Sequence, residues 1–273
     1  MANQRDKNGK NIGISWCDNT INLWWGCSKI HTGCKNCYAE SLSKRFGDNI
    51  WGDNKRRKLI KSAFPTLDKI QERAQTKGVK ETVFIGSMMD IFELNASLLN
   101  PVLPKYEYII ELRNRLFRKI DNKEYENLIF LLLTKRPENI KYSTPRHWEI
   151  QPPHNVWIGV SISDNNTHWK MRKGILDSGW VGKIFYSIEP QISEINTLDL
   201  RHVDWVIQGC ESGPNRRPFD LAWAYKMKRI CKEQKVSYFL KQIQDDHGRV
   251  IKKLEQFPKD LQIKEFPKLL EMH

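Results

Sequence analysis

The chain has 273 residues, 40% of them hydrophobic and 28% charged, with six cysteines and a formal net charge of +13. This suffices for one α/β domain or two small ones, and no run of about 18 apolar residues offers a membrane span. Unevenly spaced cysteines in so long a chain exclude a disulfide scaffold, and the polar stretch Met1 to Lys7 has no apolar signal core, so the expected location is the cytoplasm.

In chain order, residues 1–13 are polar, and Ile14–Cys17 alternates like a first or edge strand. A cysteine-bearing stretch, Trp24–Glu40, leads into a helical pattern over Tyr38–Phe46. Residues 47–62, rich in Gly, Asn and basic side chains, read as an exposed loop. Helices are expected over Leu67–Lys77, stopped by Gly78, and over Tyr106–Ile120, Trp169–Asp177 and Leu221–Gln234. Strands are expected over Thr82–Ser87, Leu128–Leu133, Val156–Ser161, Lys183–Ile188, Val203–Gln208 and Val236–Leu240. Near-continuous apolar strands separated by helices indicate a parallel sheet covered on both faces. Residues 246–273 form a charged extension with Pro258 and Pro267, expected as a hairpin and short helix packed on, or trailing from, the main unit of residues 1–245.

Cys27, Cys34 and Cys37 are spaced C-x6-C-x2-C, and Gly26 and Gly33 precede the first two. The glycines let a short loop turn its sulfurs toward one centre. Thiolates are soft ligands for zinc, copper(I) or iron–sulfur centres. The loop enters a helix, whose free amides favour an anionic centre. Structural zinc sites close with four protein ligands, whereas three leave a position open for a cofactor or substrate. Two other sets stay open: His31 with the three cysteines as a Cys3His zinc site, or Cys17 as a fourth sulfur.

Each apolar run ends in polar groups: Ser87 and Asp90; Thr134, Lys135 and Arg136; Ser161; Ser187 and Glu189; Glu211 and Ser212; Lys241 and Gln242. Reactive groups of parallel α/β sheets and barrels collect at strand carboxyl ends. In the loop Gly209–Pro218, Glu211 offers a carboxylate, and Ser212, Arg216 and Arg217 suit a phosphate, as do Lys135 and Arg136 on the neighbouring rim. Lys241 is a candidate pocket cation, while Cys210 reads as a packed small residue and Cys231 as core. The positive charge points to nucleic acid, with basic clusters at Lys55–Lys58, Arg113–Lys119, Arg216–Arg217 and Lys226–Lys235. Trp24, Trp25 and Trp51 lie where they could stack on an unpaired base.

The stretch Trp25-Gly26-Cys27 to Gly33-Cys34-Lys35-Asn36-Cys37-Tyr38-Ala39-Glu40 resembles the opening motif of the phage-associated three-cysteine family, a group of unknown function related to radical S-adenosylmethionine (SAM) enzymes. The likeness continues through Val83–Asp90, Leu133–Pro137, Trp157–Ser161, Tyr186–Pro190, Trp205–Gly213 and Phe239–Gln242, over about residues 14 to 245. The first cysteine gap is six residues, where radical SAM enzymes usually have three. The resemblance implies a partial (β/α)6-type parallel barrel with an N-terminal cysteine loop and a short C-terminal extension. It implies a [4Fe–4S] cluster on Cys27, Cys34 and Cys37, and SAM cleaved to methionine and a 5′-deoxyadenosyl radical. Tyr38, Ser87, Asp90, Ser161 and Ser187 would bind the cofactor, with Glu211, Lys241 and Glu189 as catalytic groups. Lys135, Arg136, Ser212, Arg216 and Arg217 would hold the substrate phosphate. The implied partners are nucleic acid, DNA first, and an electron donor such as flavodoxin or ferredoxin, with no membrane. The implied reaction is isomerase-type rearrangement or other modification of a base, such as a thymine derivative in phage DNA. The alternatives are a non-catalytic zinc protein that binds nucleic acid, and a radical SAM enzyme acting on a metabolite or peptide.

Overall fold

The computed structural model describes residues 14–94, 96, 98–99, 108–213 and 215–268. In chain order the elements are β1 (Asn19–Ile21), β2 (Trp24–Trp25), α1 (Tyr38–Arg45), β3 (Arg57–Leu59), α2 (Ala63–Lys77), β4 (Glu81–Ile85), β5 (Leu98–Leu99), α3 (Ile109–Asp121), β6 (Leu128–Thr134), α4 (Ile140–Ser143), β7 (Val156–Ser161), α5 (Asn165–Asp177), β8 (Lys183–Ile188), β9 (Trp205–Gly209), α6 (Leu221–Glu233), β10 (Ser237–Gln244) and β11 (Val250–Ile251). An eight-stranded sheet runs β1-β4-β6-β7-β8-β9-β10-β11, and β2-β3-β5 form a small second sheet. All neighbours in the large sheet are parallel except β11, which folds back antiparallel on β10.

Side chains alternate across the large sheet, as strand geometry requires. Val83, Ile85, Phe130, Leu132, Ile158 and Tyr186 belong to the larger core, which also takes in the apolar faces of α2, α3, α5 and α6. The intervening residues Phe84, Leu131, Trp157, Phe185, Ile207 and Phe239 form a second, separate core with Trp16. The ring centroid of Trp16 lies 4.6 Å from Phe84 on β4 and 6.2 Å from Trp205 on β9. Four strand positions separate β4 from β9, roughly 19 Å in a flat sheet, so the sheet curls into a half-barrel with aromatics inside.

Gly159 faces this interior, where a Cβ would collide with the Phe185 ring. Gly159→Ala is therefore expected to cost about 1–3 kcal/mol by overpacking. Denaturant unfolding should show the loss, and Phe185→Leu in the same chain should restore part of it. Unchanged stability in the single variant would mean that the interior is looser than described.

Several expectations shift. Ile14–Cys17 is not a strand: the chain turns there, and β1 begins at Asn19. Asp18 and Asn19 fix that start, with Asp18 accepting from the Thr82 amide and Asn19 donating to Glu81. Residues 47–62 are not wholly an exposed loop, because they contain β3, where Arg57 is buried. The Leu67 and Trp169 helices start earlier than expected, at Ala63 and Asn165. The helix expected from Tyr106 begins at Ile109, and its first two expected residues lie outside the described ones, as do residues 1–13. Beyond residue 245, a hairpin is followed by two short 3-10 turns. Leu261 is buried there and Lys264 bridges to Phe239, so the described part of the extension packs on the last strand. Among the described residues no helix is long and apolar enough to cross a membrane.

Candidate active site

A cavity of about 170 Å³ opens at the carboxyl ends of the parallel strands. Its wall includes Cys27, Cys34, Cys37 and Tyr38 from the N-terminal loop, with Ser87 and Asp90 after β4 and Lys135 after β6. Ser187 and Glu189 come from β8 and its end, Glu211 and Ser212 follow β9, and Lys241 lies on β10. Twelve of the sixteen expected site residues thus share one space. Ser161, Arg136, Arg216 and Arg217 are not on its wall.

The cysteine loop is held by local rules. Gly26 has φ +114°, open to glycine but strained for other residues, and donates its amide to Met88 O at 3.0 Å. His31 caps the 3-10 turn Thr32–Cys34, its Nδ1 accepting the Gly33 amide at 2.8 Å. A Cβ on Gly33 would strike Ser163 Oγ, so the turn sits tight against the segment after β7. Cys37 is the N-cap of α1, and the next residue, Tyr38, donates its hydroxyl to Ser87 O at 2.7 Å. The tyrosine is 41% exposed, so part of its side chain remains open beside the cavity while the hydroxyl is anchored.

All three cysteines are free. Burial pushes the Cys27 thiol up to about 12, against the pull of Arg136, and also raises that of Cys37. Sulfurs so placed favour the neutral thiol until a cation supplies the missing charge.

Asp90 does not present a free carboxylate. It accepts from Thr134 Oγ1 (2.7 Å), the Lys135 amide (3.0 Å), Arg136 Nη1 (3.1 Å) and the Phe92 amide (3.0 Å), which fixes the end of β6. Glu211 is similarly occupied. Arg217 grips its carboxylate through Nε and Nη2, the Arg217 amide donates to it at 2.8 Å, and Asn36 Nδ2 donates at 3.1 Å. Burial works against the charged Glu211, but these hydrogen bonds outweigh it and hold the carboxyl below its usual range. Arg217 also donates to Thr32 O (3.0 Å), so the pair ties the cysteine loop to the end of β9.

The phosphate roles expected of three arginines do not suit their surroundings. Arg136 is buried beneath Cys27, Arg217 is paired with Glu211, and Arg216 donates to Gly248 O and Gly213 O. Lys135 is the better candidate, because it lines the cavity and its ammonium has no hydrogen-bond or ion-pair partner among the described residues. Lys241 pairs with Glu189 at 2.8 Å inside the cavity. Ser161 stands behind this pair and donates to the Glu189 backbone carbonyl at 3.1 Å.

A family model described as a protein of unknown function (DUF5131) matches residues 11–258. The chain belongs to the DUF5131 family. No curated protein and no solved structure matches it.

Among the described residues of this DUF5131 protein, no three His, Cys, Asp or Glu side chains converge closely enough to hold one metal ion. The Cys3His set is not assembled: His31 is absent from the cavity wall and is turned toward Gly33. Cys17 is also off the wall, with its thiol donating to Ile14 O. The donor chemistry on one wall, three free thiols, suits a polynuclear iron–sulfur group, whose ligand sulfurs stand farther apart than those around one zinc.

Lys29, Asn36 and Cys210 were missed from sequence as site residues and line the cavity, and so does Trp51, expected above as a stacking ring. Trp51 lay in a stretch read as exposed loop, and Cys210, though buried as expected, faces the same space as the three ligand candidates. Trp24 is fully buried and cannot stack on a base. Arg57 and Arg113, from two of the basic clusters, are buried too: Arg57 pairs with Glu93, and Arg113 donates to Glu93 O.

Proposed function

We propose that the protein is a radical SAM enzyme that carries a [4Fe–4S] cluster on Cys27, Cys34 and Cys37 and acts on a base in nucleic acid, DNA first. The proposed reaction is rearrangement or modification of a thymine derivative in phage DNA. The observation that carries this reading is that one cavity at the strand carboxyl ends joins the three thiols to Lys135 and the Glu189–Lys241 pair. When bound, the cluster and SAM supply a carbon radical for abstraction of hydrogen from an unreactive C–H bond.

The chain's own groups would do the rest. The Lys135 ammonium, without a partner among the described residues, would meet a carboxylate or phosphate. Tyr38, fixed by Ser87 O, offers a ring for stacking. Glu189 and Lys241 supply an acceptor and a donor side by side, and Trp16 and Phe84 give the wall an apolar part that limits water. The formal charge of +13 supports a polyanionic substrate. A base in duplex DNA would have to leave the stack to reach this recess.

Anaerobic reconstitution with iron and sulfide, followed by SAM, dithionite and modified DNA, tests the reading. The expected result is about four iron atoms per chain, formation of 5′-deoxyadenosine and an altered nucleoside. One zinc per chain without iron would replace the reading with a non-catalytic zinc protein. Salt-insensitive or absent DNA binding, with SAM cleavage intact, would redirect it to a metabolite or peptide.

A further inference from the structure

Arg136 follows β6 in a segment whose cations looked suited to phosphate, yet its guanidinium has little freedom to meet one. The residue is only 6% exposed. Nη1 donates to Asp90 Oδ2 at 3.1 Å and to Cys27 Sγ at 3.4 Å, and Nη2 donates to Ser28 O at 3.0 Å and Ser28 Oγ at 2.9 Å. A second carboxylate, Glu93, stands 3.7 Å from Nη2 and is itself held by Arg57 at 2.7 Å. Thr134 Oγ1 and the Lys135 amide fix Asp90 in turn. Two anchored carboxylates therefore aim one arginine at one sulfur.

The three thiols are not equivalent. Among the described residues, Cys27 alone of the three is hydrogen-bonded by a side-chain cation, while Cys37 faces the backbone amides of Ala39 and Glu40 at the start of α1. A donor and positive charge beside a metal-bound sulfur draw electron density from it and favour the reduced centre. We propose that Arg136 is a positioning residue for Cys27, which orients that sulfur and raises the reduction potential of the centre it ligates. This rests on the iron–sulfur reading above. A phosphate role would instead need the guanidinium to give up partners on both nitrogens.

The test compares the full-length wild type with Arg136→Lys and Arg136→Met after anaerobic reconstitution, reading iron and sulfide per chain and the midpoint potential by spectroelectrochemical titration. Arg136→Lys should keep its iron and shift the potential to more negative values. Arg136→Met should shift it further and lose iron to a chelator roughly tenfold more readily. Should Arg136→Met fail to fold, Ser28→Ala removes one anchor without altering charge, and a smaller shift in the same direction is expected. Iron-loaded variants with an unmoved potential overturn this proposal alone. A wild type that takes up no iron overturns the cluster reading and this proposal together.

Discussion

Cys34→Ser is expected to reduce iron in the reconstituted protein from about four atoms per chain toward background, and reductive cleavage of SAM with it. The effect is large because Cys34 and its two companions are the only sulfurs of the N-terminal loop that face the cavity. His31→Ala is the informative comparison. Its Nδ1 accepts the Gly33 amide, so the variant should lose about 1 kcal/mol of loop stability while retaining its iron. Metal analysis of the two proteins side by side separates the readings. If His31→Ala empties the site and Cys34→Ser carries the same fault with zinc as the metal, the open-cluster interpretation is wrong.

Arg217→Ala is expected to cost about 3 kcal/mol of stability, toward the low end of the range for breaking a buried pair. The Glu211 side chain is 4% exposed and Arg217 is 23% exposed, so truncation strands a buried carboxylate while water reaches only the arginine's side. It also removes the hydrogen bond to Thr32 O that ties the turn carrying Cys34 to the end of β9. The pH dependence has a definite sign. Because the folded Glu211 carboxyl is held low, its contribution is present above the unfolded value of about 4.3 and is lost as pH falls through the lower folded value. Chemical unfolding of the wild type should therefore weaken on acidification through that window, and Arg217→Ala should weaken less steeply there. Parallel acid profiles for the two proteins would show that the pair does not govern this region.

Sequence carried the sheet further than it carried the site. Lys183–Ile188 was recovered residue for residue, because an apolar run between Gly182 and Pro190 has little freedom to begin or end elsewhere. Ile14–Cys17 misled because alternation is also what a turn produces when Trp16 must reach an aromatic core. The cysteine cavity and its polar rim were legible from spacing and from the strand-end rule. The partners of those groups were not. Arg136 meets Cys27 across 109 residues, Asn36 meets Glu211 across 175 and Arg217 meets Thr32 across 185. Such contacts exist only once the sheet has curled, and no local pattern encodes the curl. Charge runs misled for the same reason: Arg57 looks solvated until Glu93, 36 residues away, is brought beside it.

The aromatics packed around Trp16 form a core inside the half-barrel, and Trp16 and Phe84 also line the cavity at the strand ends. The floor of the recess and the packing of the sheet therefore share side chains, so a substitution at Trp16 is expected to change both at once.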